Sequence, residues 1–231
     1  DISLGDGNDS VVSAKMANND SLDVGGGDDT INIDIDGHNG TPAFGSLDMV
    51  KLDGGAGVDT LSFENSDVRA YVSGGGEINL TLGGAVNFEN LTGTEWAETI
   101  RGDSGDNVLS GKGEADIIYG GAGNDTLYAD ANNSTDNSAS SANTNDTLNG
   151  EAGNDTLVAS AGDNTLDGGT GSDTITTGSG SDTIVLRTGD GGSTLAGADT
   201  ITDFTDGTDV LGMDDGLQYT DLTIAQGTGD N

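Results

Sequence analysis

The chain has 231 residues, 41 acidic against 6 basic side chains, a formal net charge of -35 and no cysteine. That balance excludes nucleic acid and anionic membrane surfaces as partners, since both need basic patches, and it excludes disulfides and thiolate metal sites. With 32% hydrophobic and 4% aromatic residues a thick core cannot be filled, so the chain reads as disordered unless a divalent cation held by hard oxygen donors neutralises its carboxylates.

Along the chain, residues 1–62 hold irregular copies of a nine-residue unit, Gly-Gly-x-Gly-x-Asp-x-U-x with U apolar. They are Leu4–Val12 (LGDGNDSVV), Val24–Asn32 (VGGGDDTIN) and Gly54–Ser62 (GGAGVDTLS). Between them Ser13–Ser21 and Ile33–Asp53 read as spacers, the second carrying the only proline, Pro42, and the only histidine, His38. The register breaks over 63–92, where Val68–Val72 and Ile78–Leu82 alternate in hydropathy around Gly74, Gly75 and Gly76. Period two bounded by glycine predicts strands, read as longer-stranded rungs of the same solenoid because so short a segment cannot form a second core.

From Gly93 the unit is clean over 93–185, with four copies in Gly93–Tyr128 and five in Ser141–Val185. Its eighth residue is apolar each time: Ile100, Leu109, Ile118, Leu127, Leu148, Leu157, Leu166, Ile175 and Ile184. The Asn- and Ser-rich stretch 129–140 interrupts it as a loop. In 186–231, Ala198–Phe204 and Gly207–Leu211 read as strands closing the open end of the stack, as solenoids require. A last alternation, Tyr219–Ala225, runs into Gln226–Asn231 as if toward a missing strand, and Asp1 stands close to a repeat-like stretch. The chain therefore reads as one elongated domain, 1–231, cut at both ends from something longer. No segment has a sustained helical period, and no apolar run approaches the length of a membrane span.

Each part of the unit has a physical role. Glycines reach positive φ and let one backbone pass close to another, so GGxGxD can form a tight bend. The x-U-x part is a short strand with U inward and an outward seventh residue that is often threonine, as at Thr126, Thr156, Thr174 and Thr183. Two units make one rung of two strands and two bends. Consecutive bends lie on opposite sides, so the aspartates of unit i and unit i+2 line up.

This unit resembles the repeat of the RTX (repeats-in-toxin) family of hemolysin-type calcium-binding proteins. The tail, Asp199–Phe204 with Asp209-Val210-Leu211, is similar to that family's closing segment, and Phe88–Thr94 to a stretch that leads into such repeats. The resemblance implies an all-β parallel β-roll, with Ca2+ between successive bends bound by the sixth-position aspartate and by backbone carbonyls. The matching carboxylates are Asp9, Asp29, Asp59, Asp116, Asp125, Asp146, Asp155, Asp173 and Asp182, with Asp199 from the tail. The carbonyls are those near Gly54, Gly57, Gly120, Gly123, Gly150, Gly153, Gly168, Gly171, Gly178 and Gly180. Glu98, Asn107 and Asn164 stand in the sixth position of three units and imply weak or empty sites. About half a dozen ions are expected.

Other motifs carry less. Asp34–Gly37 lacks the flanking helices and the final glutamate of an EF-hand. A lone His38 in a Gly/Asn-rich loop is a bystander. The Asn-Asp-Thr sequons at Asn124, Asn145 and Asn154 fall out of the repeat, and carboxylate pairs such as Glu95 with Glu98 are abundant by chance in so acidic a chain. No catalytic residue is assigned. The resemblance further implies type I secretion from a Gram-negative bacterium, an extracellular or cell-surface location, and folding on Ca2+ outside the cell. A structural surface-layer, filament or adhesin element, and the non-catalytic tail of a secreted protease or lipase, stay open beside that reading. The partners expected besides calcium are copies of the chain itself or the rest of a larger polypeptide, with no membrane insertion.

Overall fold

The computed structural model describes residues 2–14, 21–33, 51–63, 76–80, 85–130, 144–190 and 197–222. Among the described residues short strands follow one another along the chain, and every strand pairing is parallel. Along the chain the strands alternate between two faces, except that Gly76–Asn79 and Ala85–Val86 follow one another on the same one. One face is a single nine-stranded sheet running from Ser10–Ala14 through Thr60–Ser62, Val108–Lys112 and Thr156–Val158 to Thr200–Ile201. The other is a four-stranded sheet, Ile2–Ser3 to Ala85–Val86, and a seven-stranded sheet, Gly76–Asn79 to Val210–Met213. This is the parallel β-roll expected from the repeat.

Successive rungs of one face are offset by 18 residues where two units adjoin. The offset is 30 where a longer segment intervenes, and 26 or 27 near the carboxyl end. Insertions therefore leave the register intact, because each rung has to match only its two neighbours. The pairing puts U on U: Leu91, Leu109, Leu127, Leu157, Ile175 and Ile201 form one column. Ile78, Ile100, Ile118, Leu148, Leu166, Ile184 and Leu211 form the opposing one. The two columns meet as a core one side chain deep from each face, with Val24, Ile33, Phe63 and Phe88 packed at its amino-terminal end.

The bends explain the glycines. The second and fourth positions take positive φ in unit after unit, as at Gly169 (87°) and Gly171 (150°). At three such positions without glycine the backbone does so anyway: Lys112, Glu114 and Glu151 have φ of 85°, 61° and 70°. Hence the irregular unit 111–119 still closes its bend despite its displaced glycine.

Three expectations change. Ser13–Ser21 and Ile33–Asp53 are not spacers throughout: their ends supply rung strands, Ser21–Asp23 and Lys51–Asp53, and Leu22 is core. The register does not break up to Thr92, since Asn90–Thr92 pairs residue for residue with both Thr60–Ser62 and Val108–Ser110. The final alternation begins instead as a 3-10 turn, Tyr219–Asp221. The closing strands Thr200–Ile201 and Val210–Met213 simply add one more strand to each face. The stretches Val68–Val72 and 131–140, His38, Pro42 and Gln226–Asn231 lie outside the described residues.

Because a single column of U residues fills each face, truncating one opens a cavity that neighbours cannot collapse into. Leu157→Ala is expected to cost about 2–5 kcal/mol. Val58→Ser, at an exposed bend, should stay within about 0.5 kcal/mol. Urea unfolding of the folded protein measures both.

Candidate functional site: two ladders of carboxylates

The bends stack along the two edges of the roll, and the sixth residue stands at the start of a strand, buried in the units from Asp29 to Asp182 and half-buried at Asp9, Glu89 and Asp199. On the first edge, leading into the nine-stranded sheet, the N–H of each sixth residue donates to the Oδ1 of its counterpart one rung on. Asp9 donates to Asp29, Asp29 to Asp59, Asn107 to Asp125, Asp125 to Asp155, Asp155 to Asp173 and Asp173 to Asp199, at 2.7–3.0 Å. On the second edge the ladder runs Glu98, Asp116, Asp146, Asn164, Asp182, Asp209, at 2.8–3.1 Å. Units i and i+2 thus meet as the strand alternation requires.

One carboxylate oxygen is used in this way, and the other is left over. Oδ2 of Asp29, Asp59, Asp116, Asp125, Asp155, Asp173 and Asp182 is buried with no hydrogen-bond partner. An unpaired charged oxygen in a protein interior carries a desolvation cost of several kcal/mol. Repeated seven times, that cost marks a place where a further group belongs.

The first glycine of the unit shapes that place. A Cβ on Gly120 would sit 2.5 Å from Asp125 Oδ2 and 2.8 Å from the carbonyl oxygen of Gly150, one rung on. Cβ atoms on Gly150 and on Gly111 would collide in the same way, the first with Asp155 Oδ2 and Gly168 O, the second with Asp116 Oδ2 and Ala129 O. The space above the first glycine is therefore a small cradle lined by a carboxylate oxygen and a carbonyl oxygen, the hard donors that Ca2+ takes. The carbonyls of Gly123 and Gly153 face elsewhere, each pressed on the fourth glycine of the next rung. Among the described residues no three Asp, Glu or His side chains converge on one point, so a cation in the cradle completes its shell with carbonyls and solvent.

The units that depart from the pattern fill the need internally. Thr94 donates its hydroxyl and its N–H to the Glu98 carboxylate. Asn164 Nδ2 donates to Gly162 O at 3.1 Å, and the Asn107 amide turns to Asp103. Thr144 donates to Asp146 Oδ2 at 3.2 Å, so that carboxylate has no bare oxygen.

Two ladder members were not assigned from sequence. Glu89 accepts from the N–H of Asp59 at 2.8 Å, and Asp209 accepts from Asp182. Both sit two residues before an apolar strand residue, Leu91 and Leu211, and that spacing is the signal that could have found them. A second ladder, at the fifth position, was missed as well. Asn154 donates its N–H to Asn124 Oδ1, and Ser172 to Asn154 Oδ1, both at 2.9 Å. The recurrent Asn at this position serves the stack.

A family model described as RTX calcium-binding nonapeptide repeat matches residues 16–32, 99–136, 141–175 and 158–192. Repeats of that kind bind Ca2+ ions. No curated protein matches the chain.

Burial pushes these carboxyls up. Asp125 and Asp146 rise to about 6, Glu98 and Asp155 to about 7 and Asp116 to about 10, with neighbouring carboxylates adding to burial and N–H donors opposing it. Asp59, Asp173, Asp182 and Asp199 are raised for the same leading reason. A pKa higher in the folded than in the unfolded chain means that the folded state binds protons more tightly. The stability these groups give the metal-free roll is complete below the unfolded carboxyl pKa of about 4 and is lost as pH rises through 6 to 7. Metal-depleted protein should therefore gain strand signal in far-UV circular dichroism as pH is lowered from 8 to 4.

Proposed function

From a chain whose repeats belong to the RTX calcium-binding family, we propose a segment of a larger secreted protein that folds when it meets Ca2+ outside the cell. The observation that carries this reading is the row of buried carboxylate oxygens without partners, of which those of Asp59, Asp116, Asp125, Asp155 and Asp173 lie beside the first glycine of their bends. The cations are held by Asp59, Asp125, Asp155 and Asp173, with first-glycine carbonyls such as those of Gly150 and Gly168 as further donors. Asp9, Asp29, Asp116, Asp146, Asp182 and Asp199 occupy the equivalent positions of their own rungs. What the ion supplies is positive charge and oxygen coordination where the fold leaves negative charge bare.

The magnitudes support a switch. Acidic loop sites of extracellular modules bind at about 10⁻⁴–10⁻³ M. At millimolar Ca2+, a site of about 10⁻⁴ M adds ~1.4 kcal/mol to folding, and half a dozen add ~8 kcal/mol, comparable to the whole stability of a domain. At micromolar Ca2+ the same sites add almost nothing. A chain of net charge -35 then stays unfolded inside the cell and folds outside it. RTX repeat proteins are typically secreted and the repeats are typically non-catalytic. Among the described residues no helix is long and apolar enough to cross a membrane.

The test is a Ca2+ titration in neutral buffer followed by circular dichroism and small-angle scattering. Strand signal should be low in chelator and rise cooperatively between about 0.1 and a few mM, with a fall in radius of gyration. Full strand content in chelator at pH 7.5 would sink the proposal. Asp155→Asn should raise the Ca2+ midpoint several-fold, since it removes the charge and keeps the shape.

A further inference from the structure

The two edges of the roll are not equivalent. On the first edge Asp29, Asp59, Asp125, Asp155 and Asp173 each keep a bare buried oxygen; glycine opens the units of the last four, at Gly54, Gly120, Gly150 and Gly168, and that of Asn107 at Gly102, whereas Val24 opens the unit of Asp29. On the second edge the protein's own donors meet the spare side-chain groups. Thr94 caps Glu98, Thr144 caps Asp146, the Thr205 N–H donates to Asp209 at 2.7 Å, and Asn164 spends its amide on Gly162 O. The first position there is filled by Ala159, by Thr177 and by Ala129, which the strand pairing sets beside Gly111, while Gly93 opens only the unit of the capped Glu98. Those three side chains start where the cradle would be. Asp116, above Gly111, is the exception that keeps both a bare oxygen and the space. Asp182 keeps the oxygen, but Thr177 opens its unit and is itself bonded to Asp203.

We infer that the calcium ions of this roll are concentrated along the edge leading into the nine-stranded sheet, while the opposite edge is held largely by the protein's own hydrogen bonds. This rests on the calcium reading above and specifies which bends act on it. One edge is then clamped by ions and the other is self-supporting, so calcium loss opens the roll from one side. Two conditions have to be met at once: a carboxylate with a bare oxygen at the sixth position and no Cβ at the first. Asn107 and Asn164 separate them. Asn107 faces the cradle of Gly102, whose added Cβ would meet Asn107 Oδ1 and Gly120 O. Asn164 belongs to the unit opened by Ala159.

The experiment counts ions per chain at saturating Ca2+, by equilibrium dialysis and native mass spectrometry, in the full chain and four variants. Asn107→Asp should add one ion and Asn164→Asp none, although both add the same carboxylate. Gly150→Ala should remove at least one ion, and Asp146→Asn should leave the count and midpoint within about twofold of the parent. An added ion in Asn164→Asp, no added ion in Asn107→Asp, or loss of an ion in Asp146→Asn overturns the assignment. The gain-of-ligand pair does not depend on a variant surviving a damaged fold. Should the parent chain take up no Ca2+ at all, the calcium reading itself fails, which is a separate outcome.

Discussion

The structure depends on a hydrogen bond that uses only half of its acceptor. The ladder aspartates from Asp29 to Asp209 each accept one rung-to-rung N–H on Oδ1, and this bond fixes the bend and the start of the strand whether the rungs lie 18 or 30 residues apart. Because the bond is made in the interior, the second oxygen is buried along with the first. The roll cannot form its ladder without stranding charge, and it cannot strand charge cheaply. The need for a cation is thus created by the same contact that defines the fold.

Burial of apolar surface cannot supply the difference alone. Each U residue contributes about 1.5–3 kcal/mol when fully buried, but the roll has one such residue per unit and no second layer behind it. Against that stand backbone ordering of about 1–2 kcal/mol per residue and mutual repulsion of the acidic side chains. Neutralising the ladder removes the repulsion and the unpaired oxygens in one step. Protons can do part of this work, which is why burial raises Asp155 to about 7 and Asp116 to about 10. A proton satisfies one oxygen, whereas a cation can also draw on the carbonyl above the first glycine.

The parallel roll, the two U columns and the sixth-position ladder were legible because each is a strict period, and a period survives insertion when contacts run only to neighbouring rungs. What was not legible lay where periodicity and identity part company. Glu89 replaces aspartate in a unit whose glycines are nearly gone, yet it accepts from Asp59 because Leu91 still has to meet Leu61. Ser21–Asp23 and Lys51–Asp53 looked like spacer because the sequence before them does not resemble the unit, while their strands had to pair regardless. The fifth-position Asn ladder was hidden by its tolerance, since Asp28, Asp106 and Asp163 serve the same acceptor role as Asn124 and Asn154.

The glycines of the unit were read as one feature, and they are two. The second and fourth answer to backbone conformation, a cost of about 1–3 kcal/mol that Lys112, Glu114 and Glu151 evidently bear. The first answers to space. Of the two demands only the second bears on the ion, because a side chain that tolerates positive φ still leaves the cradle open, whereas a methyl group at the first position closes it. Substitution at the second glycine should therefore weaken the fold with the ion site intact, and substitution at the first should remove the ion from a bend that still closes. Ala159 already shows the second case: its Cβ occupies the first position, the bend closes with Gly162 at φ 111°, and Asn164 stands where a charged ligand would otherwise be stranded.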